Sequence, residues 1–137
     1  MKNYKVEKDF IIDDYRCIIL GLALGHRCGY VGLPKDHKCN GLDYHDVDID
    51  VHGGLTYASN SNTYPIEDDR YWLGFDCAHY MDGKDFDLIK ELNDEETVGW
   101  YNEMAIKFPD CEFEREIRTI EYVEQELISM IEQLKVI

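Results

Sequence analysis

The sequence predicts an α+β fold: a mostly antiparallel sheet with a loop-rich half stapled by a metal, then one or two helices, the last of them long. Three observations carry this. Short apolar segments bounded by Gly, Asp, Asn and Pro fill residues 2–77. Beyond residue 94 apolar residues recur at three and four instead of two. Most of the His and Cys residues lie before residue 72, and the segment 72–79 adds Asp76, Cys77 and His79. At 137 residues and 45% hydrophobic content, the chain has the size of a single domain, 1–137, that buries a core without disulfides.

Taken in order, residues 2–12 predict a first edge strand and Asp13-Asp14 a turn. Residues 15–24, rich in Ile, Leu and Cys, predict a buried central strand broken by Gly25. Residues 26–33 predict its hairpin partner. Residues 34–46 have loop composition, and a loop this long in a compact domain needs pins; His37, Cys39 and His45 are available. Residues 47–52 alternate strictly, which predicts a strand with Val47, Ile49 and Val51 on one side and Asp48, Asp50 and His52 on the other. Gly53-Gly54 turns the chain, 55–58 resumes as a strand, and 71–77 is a further one. Val98, Tyr101, Ala105 and Phe108 have helical spacing behind Asp94, Glu95 and Glu96, with Pro109 as the stop. Cys111, Phe113 and Ile117 fit one face of a short strand. The clearest helix is 119–135, where Ile120, Val123, Leu127, Ile131 and Leu134 form one stripe.

Charge narrows the partners. Fourteen Lys and Arg face 29 Asp and Glu, a formal charge of −15. Such a field repels nucleic acid and anionic membrane and attracts basic surfaces. The longest apolar run, 17–24, is far below the ~20 residues of a membrane span, and the first residues carry no signal-peptide core. These features predict a cytosolic protein. Five cysteines without CxxC pairs point to free thiols or metal ligands, not a disulfide framework or a zinc ribbon.

Zinc takes imidazole, thiolate and carboxylate, usually four in a tetrahedron. The expected ligands are His37, His52, Asp76 and His79, holding one structural zinc per chain. In a strand, Asp76 and Cys77 point to opposite faces, so only one of them joins His79 easily. Cys77 in place of Asp76 is the rival set, and Cys28 or Cys39 offers a third.

The segments GHRCGYVGLPKDH (25–37), DVHGGLTYA (50–58), WLGFDCAH (72–79) and RTIEYVEQEL (118–127) resemble a family of small proteins encoded by phages and prophages. Its members run CGYVGVPxGHP, VHGGLT and GFDCAH, then a C-terminal helix opened by an EYV-like motif. The family includes a metal-containing type II anti-CRISPR protein, so the resemblance implies an inhibitor of a type II CRISPR effector. Where the family often has Gly-His-Pro, this sequence has Asp36-His37-Lys38: the histidine is present and the rigidifying proline is not.

On that reading the chain binds a basic nucleic-acid-binding groove on the effector in the bacterial host cytosol, without binding nucleic acid or membrane itself. The candidate partner surface is Asp82, Asp85, Asp87 and Glu91, the run Asp94, Glu95 and Glu96, and the helix face Glu121, Glu124 and Glu126. A metal-dependent hydrolase is the alternative, with Asp46, Asp48 or Asp50 as general base; no HExxH and no phosphate-binding glycine loop supports it. A small-molecule sponge is another, with Tyr30, Tyr44, Tyr57, Tyr64, Tyr71 and Trp72 as pocket aromatics.

Overall fold

The computed structural model describes residues 3–108 and 115–137. Five strands form one antiparallel sheet: β1 (Tyr4–Ile12), β2 (Tyr15–Leu22), β3 (Arg27–Gly32), β4 (Tyr57–Ser59) and β5 (Trp72–Asp76). Their order is β1-β2-β3-β5-β4. Three helices follow: α1 (Phe86–Leu92), α2 (Glu95–Lys107) and α3 (Ile120–Lys135). The fold is α+β, as the sequence predicts. No helix among the described residues is long and apolar enough to cross a membrane.

The sheet is apolar on both faces, which is why β2 reads as an unbroken hydrophobic run. Cys17, Ile19, Val31, Leu33, Leu73 and Phe75 point to one side and meet Val123, Leu127, Met130, Ile131 and Leu134 of α3. Ile18, Leu20, Cys28, Tyr30 and Trp72 point to the other, beneath Tyr4, Tyr57, Tyr64 and Ile66. The predicted stripe of α3 is therefore the face that packs on the sheet. Thr119 caps this helix by accepting from the Tyr122 amide. Asp94 caps α2 in the same way, through the Thr97 amide.

The predicted strand at 47–52 does not form. The alternation is real, since Val47 and Val51 are buried while Asp48 and Asp50 are exposed. The extended chain, however, lies along α3 and joins no ladder. Gln133 takes the place of a neighbouring strand, accepting from the Asp50 amide at 2.6 Å and donating to its carbonyl at 2.7 Å. The next expected strand, 55–58, forms as the shorter, shifted Tyr57–Ser59. Helix α1 was not expected: its seven residues, capped by Asp85 and burying Leu88 and Ile89, are too few to show a period. The expected strand residues Cys111 and Phe113, and the expected stop Pro109, lie outside the described residues.

The 34–46 loop is pinned, but by hydrogen bonds. A 3-10 turn at Tyr44–Asp46 orders its end. The His37 Nδ1 accepts from the Cys39 amide, and its Nε2 lies 3.0 Å from the Leu134 carbonyl in the last turn of α3. Cys39 is buried beside it, whereas His45 stays exposed.

Arg27, only 7% exposed, ties several elements together. Its guanidinium donates to Glu7 of β1, to the α1 cap Asp85 and to the Arg118 carbonyl ahead of α3. An arginine fork suits this role because its donors are fixed in one plane.

Candidate functional site

The loop after β5 meets the turn at Gly53-Gly54 and the first turn of α3. Gly53 and Gly54 have φ of 68° and 82°, and Gly54 donates back to the Val51 carbonyl at 2.8 Å. A Cβ on Gly53 would overlap the His79 imidazole, so glycine there admits that ring as well as the turn. The His52 amide donates to Glu126 at 2.8 Å, fixing the turn against α3.

Asp82 sits at the centre and is 3% exposed. One carboxylate oxygen accepts from Arg118 Nε at 2.8 Å. The other accepts from the His79 amide at 3.0 Å and lies 2.8 Å from His52 Nε2. His52 Nδ1 is 2.7 Å from the Tyr122 hydroxyl. The Arg118 guanidinium stacks 4.8 Å from the Tyr122 ring centroid, which closes the circuit Tyr122–His52–Asp82–Arg118. Burial by itself would raise the Asp82 carboxyl. Hydrogen bonds from Arg118, His52 and the His79 amide outweigh it and hold the group below the usual carboxylate range. Burial raises the Tyr122 phenol, with Glu126 adding to the shift. One ring nitrogen of His52 thus faces a carboxylate and the other a phenol hydroxyl, both within hydrogen-bond distance.

No protein-family model, characterised protein or solved structure matches this chain.

Of the four expected metal ligands, three gather here. The His52 and His79 rings are 5.6 Å apart, and His79 Nε2 lies 3.0 Å from the Asp76 carbonyl and 3.3 Å from its carboxylate. His37 is elsewhere: it touches Leu134, twelve residues beyond Tyr122 in α3. At ~1.5 Å per residue that is about 18 Å along the helix, so His37 cannot share a metal with His52. The donor types at His52, Asp76, His79 and Asp82 suit zinc, but here they are spent on one another. Among the described residues no group of three or more His, Cys, Asp or Glu side chains is disposed to hold a metal ion.

The rival thiol ligands are core residues. Cys77 is fully buried, and burial raises its thiol. Burial also pushes the Cys28 thiol up to about 12. Both are neutral at pH 7 and pack as small hydrophobes.

The expected partner surface divides. Asp82 is buried and ion-paired, not a surface group. Asp85 is held by Arg27, Glu124 by Lys8, and Glu126 by the His52 amide. Glu91 pairs with Lys5 but remains exposed. Asp87, Asp94, Glu95, Glu96 and Glu121 lie on the surface as expected.

The tyrosines expected to line a pocket pack mainly on one another. Tyr30, Tyr57 and Tyr64 meet edge to face at 5.3–5.6 Å, and the Tyr30 and Tyr64 hydroxyls are 2.6 Å apart. Trp72 lies fully buried in the same layer, and Tyr71 donates to the Leu42 carbonyl.

Arg118 and Tyr122 were not legible as site residues. The sequence signal was the segment RTIEYVEQEL (118–127), which holds both residues but assigns neither of them a role.

Proposed function

We propose that this chain is an acidic interaction protein that inhibits a type II CRISPR effector by occupying its basic nucleic-acid-binding groove. One observation carries the reading beyond net charge. Among the described residues, at least eight of the 14 basic residues are spent in internal ion pairs: Lys5, Lys8, Arg16, Arg27, Lys35, Arg70, Arg118 and Lys135. By contrast, Asp87, Glu95, Glu96, Glu103 and Glu121 are exposed and join no ion pair among the described residues. The outward field is thus that of unpaired carboxylates, which lie along α1, α2 and the first turn of α3 and also at Asp36, Asp46, Asp48, Asp50, Glu67 and Glu132. A channel that holds phosphates is lined with Lys and Arg, and such a field complements it.

The test is capture of a purified type II effector, with and without guide RNA, over rising salt. The Debye length shrinks from about 10 Å at 0.1 M to about 3 Å at 1 M, so affinity should fall steeply across that range. A complex indifferent to salt would sink the electrostatic reading, and no complex with either form would sink the effector reading.

A structural zinc is a second reading, favoured by the 5.6 Å separation of the His52 and His79 rings. Two imidazoles on one tetrahedral zinc, with Zn–N of about 2.0–2.1 Å, place their centroids roughly 5 Å apart. The ligands on this reading are His52, Asp76, His79 and Asp82, after the internal bonds between them give way. The ion would staple the 52–54 turn to the loop after β5. Elemental analysis of chelator-free protein should find about one zinc per chain, lost in His52→Ala or His79→Ala and retained in His37→Ala. Metal-free protein with the same fold would remove this reading.

A further inference from the structure

Helix α2 buries none of its residues, although it is 13 residues long. Thr97, Val98, Tyr101, Met104 and Ala105 are half-buried and face the body of the protein. The outward face carries Glu96, Gly99, Trp100, Glu103, Ile106 and Lys107. Trp100 is 56% exposed and Ile106 81%, and Phe108, just past the helix, is 54% exposed. Apolar side chains of this size on one outward face mark an interaction surface, and tryptophan is among the residues most often decisive in one.

Gly99 adds an independent observation. Among non-proline residues glycine is the poorest helix former, and this one sits inside the helix. Its φ does not lie in the left-handed region, and a Cβ built on it meets nothing within 4 Å among the described residues. Among the described residues nothing in the fold requires a glycine here. Beside an exposed tryptophan, its use is to let another chain approach the helix backbone closely.

We infer that the outward face of α2 is the docking element, inserted into an apolar cleft rimmed by Lys and Arg on a partner protein. Trp100 and Ile106 fill the cleft, Gly99 allows the close approach, and Glu96 and Glu103 meet the basic rim. A second copy of this chain fits poorly. Each copy would bring a formal charge of −15 to the contact, against only Lys107 on this face. The identity of the partner as a type II effector rests on the function proposed above.

The test measures binding of the full chain to an immobilised type II effector, guide-free and guide-loaded, alongside the melting temperature of each variant. Gly99→Gln should keep or raise the melting temperature and weaken binding by about 30-fold or more, the loss typical of a central contact. Trp100→Ala should weaken binding similarly, while Asp69→Asn, an exposed acid outside α2, should not. Unchanged binding by Gly99→Gln overturns the docking role of α2 and leaves the effector reading standing. No binding by the unaltered chain overturns both. A lower melting temperature for Gly99→Gln would show that the glycine serves the fold itself. A dimer of the unaltered chain that Gly99→Gln dissociates would assign the face to a second copy.

Discussion

Asp82→Ala is expected to destabilise the fold by about 3–5 kcal/mol, the cost of breaking a buried charge pair by removing one partner. The substitution strips the acceptor from Arg118, His52 and the His79 amide together. It also releases the loop after β5, where Asp82 and Gly83 bridge to Glu116. For a domain whose total stability lies in the range of about 5–15 kcal/mol, that is a large fraction, read as a lower denaturant midpoint. The carboxylate also sets a pH dependence. Its folded pKa is depressed below the unfolded value of about 3.9. Its contribution is therefore complete above the unfolded value and is lost as pH falls through the folded one. Asp82→Asn keeps the shape and should flatten this acid limb. A stability-versus-pH curve with the same acid limb in Asp82→Asn would place the titration on other carboxylates.

Arg27→Ala is expected to cost a similar amount, again about 3–5 kcal/mol. Here the stranded groups are Glu7, whose side chain is 6% exposed, and Asp85, which caps α1. Arg27→Lys should recover only part of the loss. A point-charge ammonium cannot hold the Glu7 and Asp85 carboxylates and the Arg118 carbonyl from one plane. Urea unfolding of both variants checks this. Equal stability of Arg27→Lys and the unaltered chain would show that charge alone suffices there.

Much of the architecture was legible because it rests on local periodicity. β2 and its hairpin partner β3 follow from a doubly apolar run, a glycine break and a return strand. The stripe from Ile120 to Leu134 is the face of α3 that packs on the sheet. The acidic start of α2 was equally plain, although Asp94, read as part of its first turn, is its N-cap. α1 was missed because seven residues hold too few turns for a period to show.

Segment 47–52 shows where periodicity misleads. Alternation reports only that every second side chain is buried. It does not say whether the backbone bonds to a strand or, as here, to Gln133 of a helix more than 80 residues away. His37 was rightly singled out as a loop anchor, but its partner is the Leu134 carbonyl. Asp82 was read as a surface acid, yet it is the most enclosed carboxylate of the central cluster.

By itself, then, the sequence determined the class of fold, the buried faces of β2 and α3, the net acidity and the gathering of His52, Asp76 and His79 near one another. Tertiary structure alone decided that His37 stands apart, that Arg118 and Tyr122 complete the circuit around Asp82, and that α2 keeps an open face. The reason is one of range. Burial and helical or strand period are properties of neighbouring residues, written within a few positions of each other. A hydrogen bond of 2.8 Å between His52 and Asp82 depends on how separate segments approach in space, and no local pattern records that distance.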